Sequence, residues 1–483
     1  MLSKPRSVGV RLIGCVGFHN KCPLTWDDDG VEAVVSPESE GTCRMQASHN
    51  LERVAVSFDD DTLLPNGGLT VAALLAQKLG VADLVDEHVT IDGQAGANSG
   101  AKAATVVGSA LVGGDCIDDT AVLRAGATRR LVDDTRAPST VGIWLRAFRW
   151  ATVRQLDRVT RELLARAWIA GLGPDLDEDL TIDIDSTVVE TYGLAKQGGG
   201  FAYTGVRGYH PLIASLAQTG ELLHTRLRGG NAGSGRGAAS FIAETIRRVR
   251  DAGATGRLTL RADSGFYAGA VVAACRRHGV AFSITARSNP AIRRAIDAIP
   301  QDAWRPIPYW IDGGADVAEI TYTAFIGTKH TTTCRLIVRR VRPTPGSQLA
   351  LDVAFSYHAF LTDRTGPLLE VEADHRRHAI VEHTICDLKH HAGLAHLPSG
   401  RFTANAAWLA LIGIAYNLVR WTANAAGLGR VTTKTLRLTV IAAPARLVTS
   451  GRRLRLRMPT NWPWADHITC ALAVIRQIDP APG

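Results

Sequence analysis

The sequence predicts an α/β protein with a helical N-terminal region and a β-rich insertion in its second half. Three observations predict it. Residues 68–170 carry apolar side chains at helical spacing. Residues 180–286 alternate β-branched runs with amphipathic segments, and residues 303–365 break that rhythm into short strands joined by Gly, Pro and Thr. With 483 residues, 46% of them hydrophobic and 21% charged, the chain is of ordinary globular composition and long enough for several domains. A mostly disordered chain, a collagen-like fibre and a polytopic membrane protein are excluded.

Taken in order, residues 1–50 show no sustained periodicity and read as a poorly ordered extension. Residues 51–174 form the helical region. Leu69–Leu79 runs at helical spacing into Gly80, Ala101–Leu111 repeats the theme, and Pro138-Ser139 opens one long amphipathic segment, with Ser139 as its cap, that Gly171 and Gly173-Pro174 stop after Ala170. Residues 175–300 change grammar. Leu180–Val189 alternates as a strand, and Leu212–Ala217 and Leu222–Leu227 flank a Thr219-Gly220 turn. Ala238–Ala252 is helical, with Phe241, Ile242, Ile246 and Val249 on one stripe. Then come a strand at Arg257–Asp263, a helix at Ala268–His278 and a strand at Val280–Ala286. Strand, strand, strand, helix, strand, helix, strand is the succession of an RNase H-like core. Residues 301–370 hold the inserted β strands, and 371–425 resume the core with helices at His375–His390 and Asn405–Ala423. The tail, 426–483, suggests a hairpin pairing Leu436–Ile441 with Arg453–Met458; alternation puts Arg453, Arg455 and Arg457 on one face and Leu454, Leu456 and Met458 on the other.

Charge is unevenly placed. The chain is +8 overall, yet Leu388–Ala465 contains eleven Lys and Arg and no acid, leaving −3 for everything else. A block this one-sided repels itself without a negative partner, and nucleic acid is the commonest one. Eight cysteines stand singly, with no C-x-x-C pair, which fits a reducing cytoplasm and neither a zinc ribbon nor a disulfide scaffold. The greasiest run, Ala404–Val419, is interrupted by Asn405 and Asn417 and falls short of a membrane span.

Four carboxylates stand out. Asp183 and Asp185 lie two apart on a strand and so share a face, Asp263 ends a second strand, and Glu382 sits on a helix. Oxygen ligands of this kind suit Mg²⁺ or Mn²⁺, and two such ions can hold both oxygens of an in-line phosphoryl transfer. His375, His378 and Glu382 fall at successive helical turns, a spacing compatible with a zinc-type group but better matched by a DNA-facing polar helix. The run Gly229–Gly237 precedes a helix, where backbone N–H groups meet phosphates, but it lacks the P-loop pattern and fits a plain flexible loop equally well.

The combination Asp185-Ser-Thr, Arg261-Ala-Asp-Ser-Gly-Phe-Tyr267 and Glu382 with Lys389 seven positions on resembles the DDE transposases of bacterial insertion sequences. The similar group is the cut-and-paste one, whose RNase H-like core is interrupted by a β-rich insertion before the catalytic glutamate. The resemblance spans roughly residues 51–465 and includes Gly208-Tyr-His-Pro-Leu212, Arg226-Leu-Arg-Gly-Gly-Asn231, Pro398-Ser-Gly-Arg-Phe402 and Ala415-Tyr-Asn-Leu418. It implies a metal triad of Asp185, Asp263 and Glu382 holding two Mg²⁺ or Mn²⁺ ions, with Asp183 as a supporting acid able to trade roles with Asp185, and Lys389 on a phosphate. It also implies DNA contacts at Arg226, Arg228, Asn231, Arg376, Arg377, Lys389, Arg401, Arg453, Arg455 and Arg457. The implied partners are terminal inverted repeats and target DNA, bound by a homodimer in the bacterial cytoplasm. One departure is visible: where that group reads Y-x2-R-x3-E-x6-K, this chain has His375 and His378 in the first two places.

Overall fold

The computed structural model describes residues 51–480 except 133, 311–312 and 344–354, so the expected extension over residues 1–50 lies outside the described residues. Five strands build the core sheet: β1 (Leu180–Ser186), β2 (Leu212–Leu216), β3 (Leu222–Arg226), β4 (Leu258–Ala262) and β5 (Ala281–Thr285). They lie in the order β3-β2-β1-β4-β5. β1 runs antiparallel to β2 and parallel to β4, and β4 parallel to β5. This mixed sheet, with crossover helices α6 (Ala238–Asp251) and α7 (Gly269–Arg277), is an RNase H-like core. Its strands are buried on both faces, which is why Ile182, Ile184, Leu260 and Phe282 are fully enclosed.

The inserted β strands are present, and they join the core sheet. β6 (Arg305–Ile307), β7 (Ala315–Ala324), β8 (Thr332–Val341) and β9 (Ser356–Thr362) continue it past β5, giving one nine-stranded sheet. The junction is β9 on β5, with Leu361 opposite Ile284. Two of these strands are ten residues long, more than the sequence rhythm implied.

The helical region wraps one helix of the core. α1 (Leu69–Lys78), α2 (Val81–His88), α3 (Ser99–Val112), α4 (Pro138–Ala147) and α5 (Trp150–Ile169) share a single hydrophobic core with the sheet. The expected continuous helix over 138–170 is broken: Phe148 and Arg149 are extended, and the Phe148 ring meets Trp144 edge-on at 5.0 Å. Pro138, not a capped Ser139, opens α4, as its fixed φ favours. Later come α8 (Leu368–Arg376), α9 (Ile380–His391), α10 (Phe402–Ala425) and α11 (Ala465–Gln477). α10 corrects the expectation for the greasy run, being long and apolar enough to cross a membrane; here 83% of its apolar window is buried. It packs against α1, α3, α4, α5, α11 and the sheet edge β3. Its polar interruptions are used: Asn417 accepts the Leu222 N–H at 2.8 Å and donates to the Leu222 carbonyl at 2.9 Å, standing in for a neighbouring strand.

The tail hairpin is real with a different partner. Arg437–Ile441 is helical, Val440 and Ile441 facing the core, while β10 (Ala445–Ser450) pairs with β11 (Arg453–Arg457). The reason lies in the turn. Gly451 and Arg452 both have positive φ, 57° and 62°, the two-residue connection whose twist matches a hairpin, so the preceding strand must end at 450.

Candidate active site

The parallel pairing of β1 with β4 sets the site. Asp183 lies opposite Arg261 and Ile184 opposite Ala262, so Asp185 and Asp263 follow as the next pair at the carboxyl ends of both strands. Ligand sites of α/β sheets form at that edge. Asp263 caps a short 3₁₀ turn, accepting the Gly265 N–H at 3.0 Å, and Asp185 accepts the Ser186 N–H at 2.6 Å. Burial, then the negative charges of Asp263 and Glu382, push the Asp185 carboxyl up to about 6. Three carboxylates therefore share one field.

Glu382 reaches that field because its helix is bent. The expected run His375–His390 divides into α8, a 3₁₀ turn at Arg377–Ala379, and α9, with Glu382 exposed in the first turn of α9. Lys389 follows two turns later. Burial lowers its ammonium pKa, and the charge of Asp185 opposes that shift, which puts the two within electrostatic reach. Cys386 stands exposed between them, 3.3 Å from His390 Nδ1.

Asp183 departs from expectation. Instead of offering an open oxygen as a supporting metal acid, it is fully buried; both its oxygens accept from Arg261, at 2.8 Å each, and Oδ1 also lies 3.0 Å from His378 Nδ1. Arg261, equally buried, donates onward to the Asp374 carbonyl at 2.6 Å and reaches the Arg377 carbonyl at 3.5 Å. This pair ties the two strands to the α8–α9 bend. The signal was in the sequence: D-I-D and R-A-D each place a charge two residues before the site aspartate, on the same face, and the two charges are opposite. The zinc-type grouping does not form. His375 is stacked on Phe360 at 3.9 Å between the Ser283 and Thr285 hydroxyls, and His378 faces Asp183.

Several residues expected on DNA are engaged within the protein. Arg226 pairs with Glu244 at 2.6 Å. Arg228 is buried, with Nε on the His210 carbonyl and Nη1 on three loop carbonyls. Arg376 pairs with Glu372 at 3.0 Å, and Arg401 donates to the Arg146 carbonyl at 2.8 Å. Asn231, Arg377 and all of Arg453, Arg455 and Arg457 are exposed. On the opposite hairpin face Leu456 and Met458 pack, whereas Leu454 is exposed.

Among the described residues, the side-chain groups with metal-ligand atoms converging within 4.8 Å are two others, Asp115/Cys116/Asp119 and Asp157/His224/Glu244. The second lies across the sheet: His224 pairs with Ala214 and Ala214 with Ile184, so it projects from the face opposite Asp183 and Asp185. Arg248 holds Asp157 at 2.5 Å, while Arg154 and Arg226 hold Glu244. Three guanidiniums against two carboxylates disfavour a cation there.

A family model described as transposase DDE domain group 1 matches residues 46–480 of the chain. The chain belongs to that family. Members of a DDE family act on DNA by phosphoryl transfer and use divalent metal, which agrees with carboxylates gathered at strand ends. A solved structure, the cryo-EM structure of the piggyBac transposase synaptic complex with hairpin DNA, is similar at 13% identity and a TM-score of 0.37, covering 87% of each chain. No curated protein matches.

Proposed function

We propose that this DDE family member cuts DNA at the ends of its own insertion sequence and joins the freed 3′ ends to target DNA. The observation that carries the reading is the convergence of Asp185, Asp263 and Glu382 in one negative field, with Lys389 beside it. The donor set fits the family's divalent metal. Its groups are hard carboxylate oxygens, and the Asp185 carboxyl is raised by burial and then by the charges of Asp263 and Glu382, which a bound cation would offset. Asp185, Asp263 and Glu382 would hold the ions, Mg²⁺ or Mn²⁺ and two in number, while Asp183 holds Arg261. When bound, such ions neutralise phosphoryl oxygens and make water a stronger nucleophile.

The chain's own groups do the rest by position. Lys389 offers an ammonium to a non-bridging phosphate oxygen on the same helix side as Glu382. The Asp183–Arg261–His378 group fixes the bend from which Glu382 projects. Arg453, Arg455 and Arg457 provide an exposed row for the backbone, and Arg377 and Asn231 are exposed as well. Residues 51–174 bind the terminal inverted repeats, and a homodimer in the bacterial cytoplasm pairs the two ends. The test is recovery of product: wild-type protein, duplex carrying the sequences that flank the reading frame, and Mg²⁺ should yield joined strands. Cut ends without joined product would instead mark a nuclease of the same fold.

A further inference from the structure

We propose that the hairpin flap between β1 and β2 holds Phe201 and Tyr203 as a stacking platform for unpaired bases at the cut DNA end. The proposal rests on the catalytic reading for its choice of partner and stands on separate geometry. After β1 the chain forms a small sheet of its own, in the order Val189–Glu190, Arg207–Tyr209, Gly200–Phe201. Turn chemistry sets its tip. The Gly205 N–H donates to the Ala202 carbonyl at 3.0 Å with Gly205 at φ 76°, and the Ala202 N–H donates to the Val206 carbonyl at 2.9 Å. Alternation then sends Ala202 inward and leaves Phe201 70% and Tyr203 83% exposed on the other side.

The flap is fixed in place. Arg207 donates to the Gly193 carbonyl at 2.6 Å, the Leu194 carbonyl at 2.7 Å and the Gly199 carbonyl at 3.2 Å. The Gln197 N–H donates to the Gly400 carbonyl at 2.9 Å, and the Gln197 carbonyl accepts from the Tyr209 hydroxyl at 2.9 Å. Rings held out to water from so firm a support mark a contact surface.

Charge and position select the occupant. From Thr191 to Tyr209 the chain has Lys196 and Arg207 and no acid. Exposed rings on cationic surface suit unpaired nucleic acid, since rings take base faces and cations the backbone. Ser186, whose N–H binds Asp185, ends β1, and Val189 opens the flap, so the flap leaves directly from the catalytic strand. Its tip returns to the same place: the Tyr203 ring lies 5.9 Å from the ring of His210. Burial lowers the His210 pKa and the charge of Asp263 opposes that shift, which puts the imidazole within electrostatic reach of the site. Inside a duplex the base faces are already stacked on one another; at a cut end they come free. A second copy of the chain fits less well. Even three side chains such as Tyr192, Phe201 and Tyr203 present no more than about 600 Å², below the roughly 800 Å² that each partner of a stable protein interface buries. Two flaps face to face would also bring like charges together.

The experiment uses full-length protein and metal-free fluorescence anisotropy. The probes are duplexes that carry the flanking sequence and end at the cleavage position, one fully paired and one with its terminal pairs mismatched. Wild type should bind the mismatched end about tenfold more tightly, because its bases need no unpairing before they stack. Phe201→Ala/Tyr203→Ala protein, with unchanged Tm, should lose that preference, and Tyr203→Phe, which keeps the ring, should retain it. A fluorescent base analogue at a mismatched position should be quenched by wild type and not by the double variant. The same preference in the double variant, or an equal loss on both duplexes, would overturn the platform. A double variant that binds both duplexes as wild type does, but sediments at lower mass, would overturn the DNA assignment in favour of a second copy. Because binding is read without metal, a Glu382→Gln protein that still cuts would sink the catalytic reading alone.

Discussion

Asp185 bears the cost of the site most directly. Its carboxyl is raised from 3.8 to about 6, so its contribution to stability is fully present below the unfolded value and is lost as pH rises through about 6. Asp185→Asn should therefore stabilise the protein at pH 7.5, by about 1–3 kcal/mol in urea unfolding, while removing DNA cutting. An unchanged or lower stability in Asp185→Asn would contradict the shared negative field. Glu221 gives an independent case far from the chemistry. It is buried with the Trp168 indole N–H at 2.7 Å, and burial pushes its carboxyl up to about 7. Its stabilising contribution is present below about 4.5 and fades as pH rises through about 7. Wild-type Tm should fall as this contribution is lost between about pH 4.5 and 7, and Glu221→Gln should flatten that fall. An identical fall in both proteins would mean that Glu221 is not the group titrating.

At the scale of elements, the α8–α9 bend and the β10–β11 hairpin carry the two remaining consequences. Arg261 joins β1, β4 and the bend through one guanidinium, so Arg261→Ala leaves the buried Asp183 with only His378 beside it. That should cost about 3–5 kcal/mol by urea unfolding. A loss below 1 kcal/mol would show that the strap does not hold the elements together. The hairpin presents Arg453, Arg455 and Arg457 on an exposed face. Replacing all three with Gln should flatten the slope of log affinity against log salt by about 2–3, each neutralised phosphate contributing about 0.9; an unchanged slope would take the hairpin out of the interface. The elements themselves were largely legible. Alternation found β1 through β5, because each is a short run with turn residues at its ends. What periodicity cannot register is a break made by packing, as at Phe148, or a strand's partner. Leu436–Ile441 was apolar enough to pass for a strand, and only the positive φ of Gly451 and Arg452 assigns β10 instead. The role of Asp183 was hidden for a related reason: whether it meets a metal or a guanidinium depends on which strand lies beside β1.

The whole molecule is organised around a sheet wider than its core. Strands β6 to β9 extend it on one side and the α10-centred helices close it on the other, while α9 packs against β1. The described residues from 59 to 480 fall within one compact unit, so the helical region and the core share an interior. The charge asymmetry now has a location: the +11 segment begins on α9 one residue before Lys389, passes through buried α10, and surfaces again at the hairpin. The central claim is that Asp185, Asp263 and Glu382 form one metal-dependent centre acting on DNA. Cleavage of duplex carrying the flanking sequence, measured in Mg²⁺ with wild type, Asp263→Ala and Glu382→Gln, tests it most directly. Each variant should bind that duplex in the absence of metal as wild type does and cut it at least about a hundredfold more slowly. Variants that cut at the wild-type rate would contradict it.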